Sequence, residues 1–411
     1  TVFDSCYSST STKGRACALY LNINHPASLI EVTIQNSNPP ADKFIIYIES
    51  PAALLREQPQ IFESCHFLNC TTEYTQNYAG GIGLQHDKIE DLVFNNCQFY
   101  NLRSTGFGGA VAFHKVANNL EEYSVEFNGC KFANNSATGG NGRGASLYFN
   151  ISYQATIKDC NFTDQSLTGY GGAICIDGAF EPFIFNNGFY STQETGSGHG
   201  NAIYLVRGLP IATISQNRFV NCGTKGSVIE SEAKTFIFNN GNIIQFTAPN
   251  GGSRGLHFPV QCRLELSNST ITGCRTSESG GGLYYVGGNY DGKPEELIQL
   301  EKVIFENNNA SNGCAILMQP RTLPNFTSCT IRKHVSGKYI FAIFYQVEVL
   351  QEISIDSCIF EENYFNSGID GGGSGIWIAA AQYLTNKHYP IGLNKCVFRN
   401  NRASQYGGAF A

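Results

Sequence analysis

The chain has 411 residues, 42% of them hydrophobic and only 15% charged, with a net charge of −6. That balance excludes a disordered chain, which would be apolar-poor and charge-rich. No Lys/Arg cluster offers a footprint for nucleic acid or an anionic membrane. The strongest apolar run, Tyr339 to Tyr345, is far short of the roughly eighteen residues a spanning helix needs.

Along the chain one octet recurs. It reads Leu92-Val-Phe-Asn-Asn-Cys97-Gln-Phe99, then Val125-Glu-Phe-Asn-Gly-Cys130-Lys-Phe132, Ala155-Thr-Ile-Lys-Asp-Cys160-Asn-Phe162 and Ile353-Ser-Ile-Asp-Ser-Cys358-Ile-Phe360. The small slot runs through Cys6, Val32, Cys65, Cys97, Cys130, Cys160, Gly188, Asn217, Gly241, Ser269, Val303, Cys329, Cys358 and Cys396. Thirteen steps separate residues 6 and 396, a mean spacing of 30 residues. Two positions later comes a large slot, from Ser8 and Ile34 through Phe67, Phe99, Phe132, Phe162, Tyr190 and Phe219 to Phe360 and Phe398. A glycine-led strand follows in each repeat, as in Gly108-Gly-Ala-Val-Ala-Phe113, Gly171-Gly-Ala-Ile-Cys-Ile176, Gly200-Asn-Ala-Ile-Tyr-Leu205 and Gly281-Gly-Leu-Tyr-Tyr285.

Each strand alternates with period two, and turn pairs such as Asn128-Gly129 make the bends between strands. Three short strands in 30 residues leave no room for a helix. Such a coil cannot bury its own apolar face and must stack on its neighbours. The sequence therefore predicts an all-β fold: a single right-handed parallel β-helix of about fourteen coils, continuous over residues 1–411.

The alternation of Gly-Gly-Ala-[Ile/Leu/Val] with Phe-x-x-Asn resembles the repeat of the chlamydial polymorphic outer membrane proteins and of trichomonad-type surface β-helix proteins. The first motif is literal at Gly108 to Val111 and Gly171 to Ile174; the second at Phe132/Asn135, Phe305/Asn308, Phe360/Asn363 and Phe398/Asn401. Degenerate copies cover almost the whole chain. The resemblance implies a surface-exposed β-helix used in adhesion or as a variable coat. The bacterial family ends in a membrane-inserted barrel, whereas this chain ends within a coil at Gly407-Gly-Ala-Phe-Ala411.

Cysteine has two readings. In the small slot it acts as a small buried hydrophobe, or it forms vertical disulfides, since strand spacing of about 4.8 Å lies within the Cα separation a disulfide allows. The natural pairs are Cys65 with Cys97, Cys130 with Cys160, and Cys329 with Cys358; fifteen being odd, at least one thiol remains. No Cys-x-x-Cys occurs, and the thiols do not converge, so no metal site and no cofactor are expected.

Seven Asn-x-Ser/Thr sequons occur, at Asn69, Asn134, Asn150, Asn161, Asn268, Asn309 and Asn325, and those at Asn69, Asn134, Asn161, Asn309 and Asn325 fall where a glycan would leave the core undisturbed.

Enzymatic motifs are fragmentary. Gly198-His199-Gly200 matches one polygalacturonase element, but it aligns with Gly108 to Ala110 of the ordinary glycine-led strand, and the partner acidic motifs are missing. Gly251-Gly-Ser253-Arg-Gly255 has nucleophile-elbow spacing without the strand and helix that motif requires. The acidic residues Asp87, Glu90, Asp91, Glu361 and Glu362 read as solvated faces rather than a calcium cluster. No catalytic residue is assigned.

The sequence points to a non-enzymatic extracellular or cell-surface glycoprotein, adhesin-like or filament-forming. Its partners would be host or cell-surface glycans or proteins, and other copies of itself stacked through uncapped ends. The alternative is a carbohydrate-active parallel β-helix, either a polysaccharide lyase or hydrolase or a glycan-binding module.

Overall fold

The computed structural model describes residues 1–6, 16–22, 28–38, 44–49, 59–72, 82–86, 91–115, 123–139, 142–150, 153–178, 180–194, 199–206, 208–223, 226–245, 254–260, 262–286, 297–319, 324–336, 339–345, 353–365, 375–380, 391–403 and 408–409. Among them every regular element is a strand, and strands pair in parallel with partners about one repeat away, forming a β-solenoid. The chain divides into two compact units, Thr1–Thr213 and Ile214–Ala411.

One coil of the first unit shows the plan. Leu92–Asn95 lies in one sheet, Gln98–Tyr100 in a second and the glycine-led Val111–Lys115 in a third. Single left-handed residues make the bends on either side of the middle strand, Asn96 and Asn101, with φ of 54° and 53°. Short polar residues tolerate that conformation at least cost, which is why Asn recurs there, at Asn36, Asn69 and Asn134 among others.

Parallel register then places like on like. Phe67, Phe99, Phe132, Phe162 and Phe189 stack in the middle sheet of the first unit, with centroids 4.6 to 4.9 Å apart. Phe62, Phe94 and Phe127 form a second column, and Phe113 stacks on Phe149 in the third sheet. In the second unit the middle column is mixed, Ile243, Ile271, Phe305, Ile331 and Phe360, and all five are buried. The spacing is that of adjacent strands, so each ring covers the next and water is excluded.

The register corrects two sequence assignments. Phe3, not Ser8, pairs with Ile34, so Cys6 lies beyond the middle strand rather than in the small slot; Ser8 itself falls outside the described residues. Phe189, not Tyr190, pairs with Phe162, which puts Asn187 rather than Gly188 in the small slot. A one-residue shift exchanges inward and outward side chains. The bend is also made by one residue, Gly129 with φ of 64°, since Asn128 still belongs to the strand Tyr123–Asn128.

The two bends explain both motifs. At these bends the amide after the left-handed residue and the carbonyl two residues before it take side-chain partners instead of ladder bonds. A side chain from the next coil serves both. Asn135 Oδ1 accepts from the Leu102 amide at 3.0 Å, and its Nδ2 donates to the Phe99 carbonyl at 3.1 Å. Asn308 repeats this with Cys274 and Ile271, and Asn363 with His334 and Ile331. Phe-x-x-Asn is therefore a hydrogen-bonding unit between coils.

The small slot does the same at the other bend. Asn187 accepts from the Cys160 amide at 2.8 Å and donates to the Ile157 carbonyl at 2.9 Å. Cys97, Cys130 and Cys160 donate their thiols to the equivalent carbonyls of Phe62, Phe94 and Phe127 at 3.3 to 3.4 Å. In Gly-Gly-Ala, the first glycine is left-handed, with Gly171 at φ of 72°, and the second has no room: a Cβ on Gly172 would sit 1.6 Å from the Asn201 carbonyl oxygen.

Replacing Asn308 by Ala strips the partner from one buried amide and one buried carbonyl, so we expect a loss of about 3 kcal/mol in denaturant unfolding. His334 occupies the Asn slot of its coil. Its Nδ1 accepts from the Asn308 amide at 3.1 Å and its Nε2 donates to the Phe305 carbonyl at 3.1 Å, an arrangement that needs a neutral ring. Burial holds its pKa down at about 4, against an ordinary 6.5. Stability is therefore undiminished above pH 6.5 and falls as pH drops from 6.5 toward 4, where the unfolded chain takes up a proton that the folded chain refuses. The loss amounts to about 3 kcal/mol. His334→Asn should flatten this part of the pH–stability curve and leave the neutral-pH value little changed.

Candidate functional site

The third sheet of each unit carries a cluster of polar and aromatic side chains on its outer face. In the first unit, Ala112, Tyr148, Cys175 and Tyr204 lie in register on successive strands, facing away from the core rows of Val111 and Phe113. They are nonetheless buried, because a second strip lies over them. That strip is Phe107, Arg143, Tyr170 and His199, bridged residue to residue in parallel. Each member immediately precedes a left-handed glycine, Gly108, Gly144, Gly171 and Gly200, which reverses the chain and lays the preceding side chain over the strand that follows.

The strip is a stack. The Arg143 guanidinium sits 5.5 Å from the Phe107 ring centroid and 5.7 Å from that of Tyr170. Tyr170 stacks on His199 at 4.9 Å and on Tyr204 at 5.4 Å, and Phe107 meets Tyr148 at 4.6 Å. Arg143 is ion-paired with Asp177 through Nη1, and its buried Nε has no hydrogen-bond partner among the described residues. Burial pushes the Tyr148 phenol and the Cys175 thiol well above their ordinary values. The half-exposed edges thus combine flat apolar surface, a fixed cation and its carboxylate. That combination suits a ligand with apolar faces and a polar rim.

The second unit has a cluster of similar composition. Glu230, His257 and Tyr284 are in register on adjacent strands. Glu230 is 2% exposed, and its Oε2 lies 3.0 Å from His257 Nδ1, which donates to it. The His257 ring stacks on Tyr284 at 5.2 Å and 5°, and the Arg254 guanidinium lies 4.9 Å from the same ring. Arg254 Nε donates to the Ser279 carbonyl at 2.8 Å, and its Nη2 pairs with Glu278. Among the described residues no group of three His, Cys, Asp or Glu side chains is arranged to hold a metal ion.

The structure places the sequence-predicted residues as follows. Asn69, Asn134 and Asn268 are exposed left-handed bend residues, Asn161 and Asn309 are exposed, and Asn150 and Asn325 are partly exposed on strands. His199 belongs to the first cluster, in register with Phe107 through Arg143 and Tyr170 rather than with Gly109. Ser253, Asp87 and Glu90 lie outside the described residues. Glu361 is paired with Arg332 and Arg399 in a column that includes Glu306. Neither outer-face cluster was anticipated from sequence. The available signal was an aromatic or cationic residue directly before the repeat glycine, at Phe107, Arg143, Tyr170 and His199.

Cys65, Cys97, Cys130 and Cys160 stand on successive coils of the first unit and Cys329 and Cys358 on adjacent coils of the second, all six as free thiols. A bridge would remove the S–H donors that satisfy the bend carbonyls. The neighbouring Cys130 thiol and burial push Cys97 up to about 12, and burial pushes Cys70 up to about 11. At pH 8 a thiol of pKa 12 is ionised in only about one molecule in ten thousand. Iodoacetamide should therefore label the partly exposed Cys6 and Cys396 first and the buried thiols only after unfolding, as read by peptide mass spectrometry. An intact mass that rises on reduction would instead mark bridged pairs.

No family model, curated protein or solved structure matches this chain.

Proposed function

We propose that this chain is an extracellular or cell-surface β-solenoid of adhesin type that binds glycans through the outer face of its glycine-led sheet. The observation that carries the reading is the Phe107–Arg143–Tyr170–His199 stack, whose rings and guanidinium are locked in place by parallel register. Sugars are recognised by such surfaces: apolar C–H faces lie against aromatic rings, while hydroxyls take the charged and polar groups at the rim. Preorganisation matters because a rigid stack loses little side-chain freedom on binding.

Extracellular placement agrees with the seven sequons, five of which are exposed. It also agrees with the resemblance of the Gly-Gly-Ala and Phe-x-x-Asn repeats to surface β-helix proteins. On this reading the protein is a glycoprotein, and its coils are a scaffold that displays the clusters.

A carbohydrate-active enzyme is the second reading, favoured by the Glu230–His257 pair. A buried carboxylate on Nδ1 orients the ring and leaves Nε2 as the position that could exchange a proton with a substrate, which is the arrangement acid–base catalysis needs. One experiment separates the two. A panel of immobilised and soluble glycans is offered to the intact chain, and both retention and release of reducing ends or unsaturated products are measured. The binding reading expects retention without product, with Tyr170→Ala weakening it about tenfold and leaving the fold intact. Product release lost in His257→Ala would establish the enzyme; neither retention nor product would defeat both.

A further inference from the structure

Within the second unit, Arg254 is held by three contacts of different kinds. Its Nε donates to the Ser279 carbonyl, its guanidinium lies over the Tyr284 ring, and its Nη2 meets the Glu278 carboxylate. The first two fix it to the sheet. The third is of another character, because the Arg254 side chain is 10% exposed whereas that of Glu278 is 69% exposed. A well-buried cation is thus neutralised on its open side by a carboxylate standing almost free in solvent. Glu278 is largely exposed, so another carboxylate can take its place at small cost, provided the buried guanidinium stays paired.

We infer that Arg254 anchors the carboxylate of an acidic sugar residue, and that Glu278 holds its place in the free protein. The inference rests on the glycan-binding reading above and adds the ligand class. Glu278 shows which group the open edge accepts: a planar carboxylate on the guanidinium, the pairing whose geometry Arg matches best. A second contact stands beside it. His257 is three residues along the same strand, within 5.2 Å of the same Tyr284 ring, and its Nδ1 is committed to Glu230. Its Nε2, which has no hydrogen-bond partner among the described residues, is left to bond a hydroxyl, which can both donate and accept. The Arg254 guanidinium and the His257 ring both lie against Tyr284, so one sugar residue can offer its carboxylate to the first and a hydroxyl to the second.

Charge limits the ligand further. The chain carries −6 overall, and Glu230 lies within the same cluster, so a dense polyanion is repelled. One guanidinium fits one carboxylate. The expected ligand is an otherwise neutral glycan with an isolated acidic residue.

The test titrates the intact chain by calorimetry with lactose, with lactose capped by sialic acid or by glucuronic acid, and with the methyl esters of the two acids. At least one capped sugar should bind, with its ester and lactose weaker by about tenfold. Arg254→Gln should abolish that preference. Glu278→Gln removes the competing carboxylate and should tighten binding by about fivefold, because the ligand no longer has to displace it from the guanidinium. Glu278 is exposed, so this second variant keeps the test decisive should Arg254→Gln fail to fold. A purely structural ion pair predicts no gain in Glu278→Gln, and that result overturns the inference. Equal binding of acid, ester and lactose, lost in Tyr170→Ala, overturns it and leaves the glycan-binding reading standing. No binding of any sugar removes both.

Discussion

At Asn96 and again at Asn101 the chain turns through a single left-handed residue, and each turn takes an amide and a carbonyl out of the parallel ladder. Buried and unpaired, such groups would each be destabilising by about 1–3 kcal/mol. Repeated coil after coil, that penalty would exceed the few kcal/mol by which folded domains are ordinarily stable. Side chains reaching from the neighbouring coil remove it. The residue three positions beyond the Phe slot does so at one bend, and the residue two positions before it at the other. Asn, Gln, His and Cys donate across to the bend carbonyl in these roles, and Ser269 accepts from the bend amide of Gly241. The aromatic columns add burial, but the sharp bends that bring three sheets round one core depend on these bonds.

Much of this was legible in the sequence because stacking makes a periodic fold repeat its chemistry. The Cys-x-Phe spacing reveals the strands, whereas the bonding role of the Asn in Phe-x-x-Asn emerges only from the coil-on-coil contacts. The two register errors have physical causes. Cys6 was placed in the small slot because cysteine marked that slot elsewhere, yet the bend after the Phe slot accepts cysteine equally well, as at Cys70, Cys222 and Cys274. At residues 187 to 190, Phe189 and Tyr190 are adjacent aromatics, and choosing the second reversed the inward and outward faces of the strand.

The outer-face clusters were not legible. Arg143, Tyr170 and His199 are 27 and 29 residues apart and belong to no local motif; only coil-on-coil register brings them together. Glu230 is a carboxylate that burial under its neighbours makes a fixed partner for His257 rather than a solvated group. Core positions are dictated by repetition, whereas these clusters depend on what departs from it.

The connection from the glycine-led strand to the next coil follows a different rule. Three residues join Ser231 to Thr235, whereas eleven join Val286 to Ile298. Register is set at the two bends on the opposite side of each coil, so this junction imposes no length of its own. Lineages of this chain could therefore lengthen or shorten there without shifting a single ring in the core. Length changes confined to this junction would leave the stacked interior of each unit constant.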